Sequence, residues 1–261
     1  MRIGKTDAPF SAISTSTHET ITVRGKDLCG DIMGKVDFTS YFWFLVTGQE
    51  PSETQVYFAN AVLAAIAEHG LVPSVVAARM TYAAAPEAFQ GAVAAGLLGC
   101  GTVVLGSAEV CGRFIADLCA KARESGDVEG EALKGVQSLR ANKKPIPGFG
   151  HPLHSEGDPR ANLLFSMAEE KGVVGEHITM LRAVKAAIPK VLGRELPVNV
   201  NGAIPTVMLD VGFPLAALKG ISLLARTASL IGHLQEESER GIGFIMSGAA
   251  AEAIDYDGPG A

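Results

Sequence analysis

The sequence has few cysteines, few aromatic residues and few charges for its length. Only 4 of its 261 residues are cysteine, and no two of them form a C-x-x-C pair (Cys29, Cys100, Cys111 and Cys119). A chain this long buries a large core without disulfides or a structural metal. The opening residues, MRIGKTDAPF, contain no apolar segment of the kind that a signal peptide requires. We therefore expect reduced thiols and a cytoplasmic location.

Positive charge is also scarce. The sequence has 22 Lys and Arg against 28 Asp and Glu, which gives a formal net charge of −6. Binding to nucleic acid or to an anionic membrane depends on basic surface that neutralises phosphate, so we expect neither partner. Any anionic ligand must then be held by a few cations that the fold brings together.

Charge is missing altogether between Glu87 and Glu109, a stretch long enough to be considered as a membrane span. Its ends carry acids instead of Lys, Arg or aromatic anchors. Glycines interrupt it at positions 91, 96, 99, 101 and 106. The stretch instead predicts a helix of small residues that packs closely inside a folded protein and breaks after Leu98.

Apolar periodicity predicts helices along most of the chain. We expect them at Phe38–Thr47, Ser52–His69, Val72–Ala84, Ala85–Leu98, Glu109–Glu124, Glu129–Ala141, Pro159–Lys171, Glu176–Ala187 and Pro214–Arg240. The alternation of β-branched residues within Pro9–Asp31 predicts a short hairpin. Because strands do not alternate with the helices, a parallel α/β sheet is disfavoured. The predicted fold class is all-α.

Two segments rich in Pro, Gly, His and Asn interrupt this pattern, Asn142–Pro152 and Leu196–Gly202. Functional sites concentrate in such loops. In the first segment, a Gly-Phe-Gly sequence precedes His151 and predicts backbone amides that a ligand can reach. With two lysines before it and an arginine after it, this loop suits a polyanion, although a plain turn with solvated lysines has the same composition.

The last predicted helix places Arg226, Ser229 and His233 on one apolar face. A buried arginine costs several kcal/mol unless a carboxylate or another anion meets it. This face therefore predicts either a bound carboxylate or a buried structural partner.

Two further segments have structural explanations of their own. His69 is followed by Gly70 at a predicted helix end, where the helix dipole favours a cation. Asn residues in the Asn199–Gly202 segment are common in turns for conformational reasons. The sequence contains no zinc-ligand spacing, phosphate loop or nucleophile elbow, so metal and covalent mechanisms have little support.

Taken together, several segments resemble the citrate synthase superfamily, especially its shorter branch of citryl-CoA lyases and the lyase domain of ATP citrate lyase. The segments that carry the resemblance are Arg24–Leu28, Leu45–Pro51, Glu68–Ser74, Pro147–Pro152 with Asp158–Arg160, Val198–Gly202 and Ala225–His233. The resemblance implies an all-helical homodimer or higher homo-oligomer with a large domain and a smaller inserted domain. The small domain would comprise residues 108–204, and the large domain residues 1–107 and 205–261.

The resemblance also implies an enzyme and its substrates. The reaction would cleave a 3-hydroxyacyl-CoA such as citryl-CoA to acetyl-CoA and a 2-oxo acid such as oxaloacetate, without a metal ion. His69, His151 and Asn201 would take catalytic positions, and His151, Arg160 and Arg226 would bind the acid. Coenzyme A would contact Lys143, Lys144, Pro147, Gly148, Phe149 and Gly150.

Three positions depart from the family pattern. Within residues 101–108, only aliphatic side chains stand at the place where citrate synthases have a histidine that stabilises the enolate, and the lyase domain of ATP citrate lyase also lacks this histidine. Asn201 stands in place of a catalytic aspartate, and an amide does not take up a proton at neutral pH. No Lys or Arg follows Arg240, whereas the family usually supplies a C-terminal arginine to the partner's substrate.

These departures favour a lyase whose substrate has fewer or differently placed carboxylates than citrate. A condensing enzyme with an altered substrate range is one alternative. A catalytically altered homologue that binds coenzyme A or a carboxylate is the other.

Overall fold

The computed structural model describes residues 10–150 and 157–259. The chain divides into two compact units, Met1–Asn60 and Ala61–Ala261. The first unit opens with a three-stranded antiparallel sheet whose strands lie in chain order, β1 (Ser14–Ser16), β2 (Ile21–Val23) and β3 (Lys26–Asp27). The predicted hairpin is confirmed, with a third short strand added.

Helices make up most of the described residues. They are α1 (Phe38–Thr47), α2 (Glu53–Ala67), α3 (Pro73–Ala84), α4 (Phe89–Leu98), α5 (Ser107–Ser125), α6 (Val128–Ala141), α7 (Pro159–Glu170), α8 (Glu176–Leu192), α9 (Val200–Asp210), α10 (Leu218–Glu239) and α11 (Gly243–Ala253). A π-helical segment, Leu28–Ile32, precedes α1, and a 3-10 turn, Leu215–Ala217, precedes α10. The predicted all-α fold class is confirmed.

Two helices, α9 and α11, are absent from the sequence prediction, which placed a turn at Asn199–Gly202. Asn199 instead caps α9, since its side chain accepts a hydrogen bond from the Asn201 amide at 2.9 Å. Pro205 lies inside α9 and breaks the pattern that local rules associate with a helix. Helix α11 consists largely of glycine and alanine, so it lacks the periodic apolar signal.

The uncharged stretch forms a short helix and a turn. Helix α4 ends at Leu98 as predicted, and its ten residues span about 15 Å, half the thickness of a bilayer core. Gly96 packs against α10 so closely that an added Cβ would lie 2.7 Å from a Leu230 methyl group. Close packing by small residues is therefore confirmed for this helix.

The second unit contains two apolar clusters. One gathers buried residues of α5, α6 and α8, including Ile115, Val136 and Ile188. The other joins α3, α4 and α10 through Val75, Ala78, Ala92, Leu230 and Leu234. Helix α9 packs against α5, α7 and α8. The division at residues 108 and 204 into large and small domains stays a prediction.

Candidate active site

A cavity of about 310 Å³ brings together four residues that the sequence singled out, His69, Arg160, Asn201 and Arg226. They come from the loop after α2, the first turns of α7 and α9, and the middle of α10. The other lining residues are mostly apolar: Ile66, Val72, Pro73, Val103, Val104, Leu105, Ser107 and Val200. The cavity thus combines two guanidinium groups, an imidazole and an amide with an apolar wall. The roles predicted for these residues remain predictions.

Arg226 is the most unusual of these side chains. It is 3% exposed, and its Nε is buried without a hydrogen-bond partner among the described residues. One terminal nitrogen, Nη1, donates to the Ser229 hydroxyl at 3.5 Å. Burial lowers the pKa of the Arg226 guanidinium, and the nearby charge of Glu68 opposes that shift. A buried donor without an acceptor costs free energy, so this guanidinium is held in the cavity wall at a cost in stability.

Arg160 is fixed by a carboxylate that the sequence analysis passed over. The fully buried Asp158 accepts two hydrogen bonds from the Arg160 guanidinium, at 3.0 Å from Nε and 2.9 Å from Nη2. The same carboxylate caps α7 through the Arg160 amide and accepts the Val200 amide at 2.9 Å. Burial would raise the pKa of Asp158, but these hydrogen bonds and the arginine charge lower it. Asp158 therefore ties Arg160 to the start of α9.

The start of α9 lies against the Pro147–Gly150 segment. The Gly148 carbonyl accepts the Asn199 amide at 3.0 Å, and the Gly150 carbonyl accepts the Asn199 side chain at 2.6 Å. Only glycines permit this approach, since a Cβ on Gly202 would lie 2.7 Å from the Gly148 oxygen. The two breaker-rich segments of the sequence therefore meet, and this contact places Asn201 in the cavity.

The same contacts correct one expectation about the Gly-Phe-Gly segment, which predicted amides available to a ligand. The Gly150 amide donates to the Pro197 carbonyl at 2.8 Å, and the Phe149 amide donates to the Ile146 carbonyl at 3.4 Å. The Phe149 side chain is 9% exposed and belongs to the apolar core. The Gly150 amide is occupied because the segment forms a short antiparallel bridge with Val198, whereas the Phe149 amide closes a local turn with Ile146.

A second cavity, of about 420 Å³, lies beside the bridged segment. It is lined by Gly157, Asn162, Phe165, Leu181, Arg182, Lys185, Glu195, Leu196, Pro197 and Val198. Its cations are Arg182 and Lys185, which the sequence analysis did not single out. The predicted cations Lys143 and Lys144 are exposed and are not among its described lining residues. The spacing of Arg182 and Lys185 on one face of α8 is the signal that could have identified them.

The cysteine nearest to the bridged segment has no nucleophilic role. Cys111 is completely buried and donates to the Pro147 carbonyl at 3.5 Å. Burial raises the pKa of its thiol to about 12, so it stays protonated at neutral pH. His151 lies outside the described residues, and its predicted catalytic and binding roles stay predictions.

The apolar wall of the first cavity contains a backbone strain. Leu105 has φ of 64° in a turn closed by hydrogen bonds from the Gly106 amide to the Gly101 and Val104 carbonyls. A branched side chain rarely adopts this left-handed conformation, which costs about 1 kcal/mol or more. Non-glycine residues in such conformations cluster at functional sites. The strained Leu105 lines the cavity that contains the candidate site residues.

The chain is similar in sequence to a known family and to curated proteins of that family. The sequence model of the family described as citrate synthase, C-terminal domain, matches residues 11–244. The chain is 24% identical over 200 residues to citrate synthase of Haloferax volcanii, covering 76% of this chain and 51% of that protein. It is 26% identical over 220 residues to citrate synthase 2 of Bacillus subtilis, covering 84% and 55%. The chain thus spans about half the length of these curated relatives.

Solved structures give a similar result over more of the chain. Citryl-CoA lyase from Hydrogenobacter thermophilus superposes with a TM-score of 0.78 and 30% identity, covering 90% of this chain and 87% of that one. ATP citrate lyase from Methanothrix soehngenii, in complex with citrate and coenzyme A, gives a TM-score of 0.75 at 23% identity, covering 98% and 43%. At that identity the second similarity is one of fold.

Proposed function

The chain belongs to the citrate synthase family, and on that premise we propose that it is a carbon–carbon lyase acting on a 3-hydroxyacyl-CoA. The substrate is citryl-CoA or a related thioester, and the products are acetyl-CoA and a 2-oxo acid such as oxaloacetate. The similarity to citryl-CoA lyase along most of both chains supports the lyase direction. The chain's own residues supply the rest of the argument.

The observation that carries the proposal is the buried Nε of Arg226 on the wall of a cavity shared with His69, Arg160 and Asn201. A carboxylate of the acid portion would accept from this nitrogen and relieve the cost of its burial. Arg160 would bind the same portion of the substrate from α7. Asp158 holds the Arg160 guanidinium in a fixed orientation.

Cleavage requires two proton movements. A base removes the proton of the 3-hydroxyl group, the bond between C2 and C3 breaks, and its electron pair forms the enolate of acetyl-CoA. C3 becomes the carbonyl of the oxo acid, and the enolate then takes a proton at carbon. Among the described lining residues, His69 carries the imidazole, the side-chain type most often used for proton transfer in catalysis. The Asn201 amide would donate a hydrogen bond to the thioester or enolate oxygen.

The second cavity suits the nucleotide end of coenzyme A. Phe165, Leu196 and Pro197 provide apolar surface, and Arg182 and Lys185 provide positive charge. This cavity borders the Gly150 segment through the contacts of Pro197 and Val198. The solved ATP citrate lyase and a citrate synthase from Thermoplasma acidophilum hold coenzyme A or carboxymethyl coenzyme A, which supports a thioester ligand here.

The apolar wall bears on which thioester is cleaved. Val103, Val104 and Leu105 line the same cavity as the two cations Arg160 and Arg226. A carboxylate against this wall would lose hydration without a partner, whereas an alkyl group would gain contact. We therefore expect analogues of citryl-CoA with fewer carboxylates to be cleaved at least as well as citryl-CoA itself.

The test is direct incubation with citryl-CoA and with analogues that carry an alkyl group in place of one carboxymethyl group. We expect acetyl-CoA and the matching oxo acid. R226Q should lower kcat/KM about 30-fold or more, as loss of a buried charged partner does. R113Q is the matched control, since Arg113 is exposed on α5 and pairs with Glu109. Bound thioesters without any product would contradict the proposal.

Asn201 favours a second candidate, a binding protein for a thioester or carboxylate without turnover. The amide occupies the place where the family pattern has an acid, and it does not exchange protons at neutral pH. N201D distinguishes the two. A gain of citryl-CoA cleavage would show that the surrounding cavity supports the family reaction, and unchanged binding without turnover in both forms would favour the binding role.

A further inference from the structure

Glu68 connects the loop that carries His69 to the helix that carries Arg226. One carboxylate oxygen accepts the amides of His69, at 2.9 Å, and Gly70. The other accepts from the Ser229 hydroxyl at 2.6 Å and from His233 Nε2 at 2.9 Å. Although burial raises the pKa of Glu68, these donors lower it to about 2, so the side chain is anionic at neutral pH.

His233 meets a different group at each ring nitrogen. Its Nδ1 lies 3.2 Å from Nη1 of Arg79, and its Nε2 faces Glu68. A guanidinium only donates, so Nδ1 must accept, and an anionic carboxylate only accepts, so Nε2 must donate. The two contacts therefore place the ring proton on Nε2, and the His233 side chain is 14% exposed.

Arg79 is anchored firmly on its other sides. It is 2% exposed and donates to Glu237 at 2.7 Å and to Glu236 at 2.8 Å. Glu237 in turn accepts the amides of Ile242 and Gly243 at the start of α11. Burial would lower the pKa of Arg79, but the two glutamates raise it. Arg79 is therefore a fixed cation beside His233. Because it can only donate to Nδ1, the ring proton of His233 must be on Nε2.

We propose that His233 and Glu68 are positioning residues, which hold the His69 loop at a fixed place relative to Arg226 in the cavity. Arg226 lies one turn before Ser229 on α10 and donates to the Ser229 hydroxyl. The same hydroxyl donates to Glu68, so Ser229 links Arg226 to Glu68. Neither His233 nor Glu68 lines the cavity itself. They act through His69, whose catalytic assignment rests on the proposed function.

The two ring nitrogens of His233 have different partners, Arg79 at Nδ1 and Glu68 at Nε2, and variants can separate the two contacts. A glutamine at 233 carries an amide near the Nε2 position and can still donate to Glu68, whereas an asparagine reaches the Nδ1 position and can still accept from Arg79. H233Q should preserve the loop, and H233N should release it. If the only role of His233 is to accept from Arg79, H233N should preserve the loop and H233Q should release it. E236Q is the matched control, because it removes an Arg79 partner and leaves the Glu68 contacts intact.

The first measurement does not depend on any ligand. Nitrogen-15 spectra of histidine-labelled protein, with the His233 signal assigned by H233Q, should show the tautomer protonated at Nε2. Hydrogen exchange at the His69 and Gly70 amides should accelerate about tenfold or more in H233N and much less in H233Q and E236Q. The opposite tautomer, or equal exchange in H233N and H233Q, would overturn the proposal.

The second measurement uses oxaloacetate as the probe, titrated by calorimetry into the same variants. A displaced His69 should weaken binding about 10- to 100-fold in H233N, with most of the affinity retained by H233Q. The protein could show the expected tautomer and the expected exchange rates in the variants, yet bind neither oxaloacetate nor citryl-CoA. That result would contradict the proposed function and leave the positioning role intact. Unchanged oxaloacetate affinity in H233N would count against the positioning role alone.

Discussion

Two arginines on the neighbouring helices α3 and α10, Arg79 and Arg226, are almost equally buried but differ in their hydrogen-bond partners. Arg79 is 2% exposed and pairs with Glu236 and Glu237, whereas Arg226 is 3% exposed and keeps a buried Nε without a partner among the described residues. A paired charge stabilises the fold around it, and an unpaired one costs stability. Under the proposed function, the cost at Arg226 is the one that a ligand-binding group incurs before its ligand arrives.

Methionine substitutions at the two positions should therefore change stability in opposite directions. R226M should raise the free energy of unfolding by about 1 kcal/mol and abolish oxaloacetate binding, since an apolar side chain replaces an uncompensated charge. R79M should lower it by about 3 kcal/mol or more, because Glu237 is left buried without its partner. Urea denaturation with calorimetric binding checks both. A destabilised R226M would mean that Arg226 has a structural role instead.

At the scale of elements, the site depends on how α9 begins. Asn199 caps the helix, Asp158 accepts its first amide, and Gly202 contacts Gly148 backbone to backbone. Together these contacts place Asn201 in the cavity. Since the Asp158 and Gly148 contacts join α9 to segments distant in sequence, the start of α9 acts as the junction of the candidate site.

G202A tests this junction. An added Cβ would lie 2.7 Å from the Gly148 oxygen and 2.9 Å from a Val198 methyl group, so the loop and helix must separate. We expect a loss of about 1–3 kcal/mol in unfolding free energy, together with reduced turnover at normal expression. G232A is the control: its Cβ meets nothing within 4 Å on α10, and it should stabilise the helix by up to about 1 kcal/mol. Equal behaviour of the two variants would contradict the junction.

At the scale of the whole molecule, apolar surface is unevenly distributed. Phe244 and Ile245 at the start of α11 are 72% and 67% exposed, and Ile254 and Tyr256 just beyond it are 73% and 70% exposed. Large apolar side chains grouped in this way on a single chain indicate an interface. The family resemblance implies a homodimer, and we propose that these side chains belong to its interface.

We expect a dimer in solution and a monomer for the double variant F244E with I245E. Charges at a buried interface core are strongly unfavourable, whereas on an exposed helix they leave the fold intact. Light scattering coupled to size exclusion gives the mass, and circular dichroism confirms that the variant keeps its helices. A dimer that survives both substitutions would place the interface elsewhere.

Much of the fold follows from local sequence. The bounds of α1 agree with the prediction to the residue, because Asp37 caps the helix and Gly48 ends it in a left-handed conformation. Helix α9 could not be predicted in the same way, since Pro205 and the Asn-rich start mask a helix that tertiary contacts stabilise. Local rules describe propensity, and packing overrides it there.

The sequence by itself determined the helical class and the family motifs, and it predicted His69, Arg160, Asn201 and Arg226 as candidate site residues. Only the tertiary structure decided what surrounds them. It paired Arg160 with Asp158, joined Glu68 to His233, placed Arg182 and Lys185 at a second cavity and occupied the Phe149 and Gly150 amides. The reason is physical: periodicity reports which face of an element is buried, whereas hydrogen-bond partners far apart in the chain are chosen by packing.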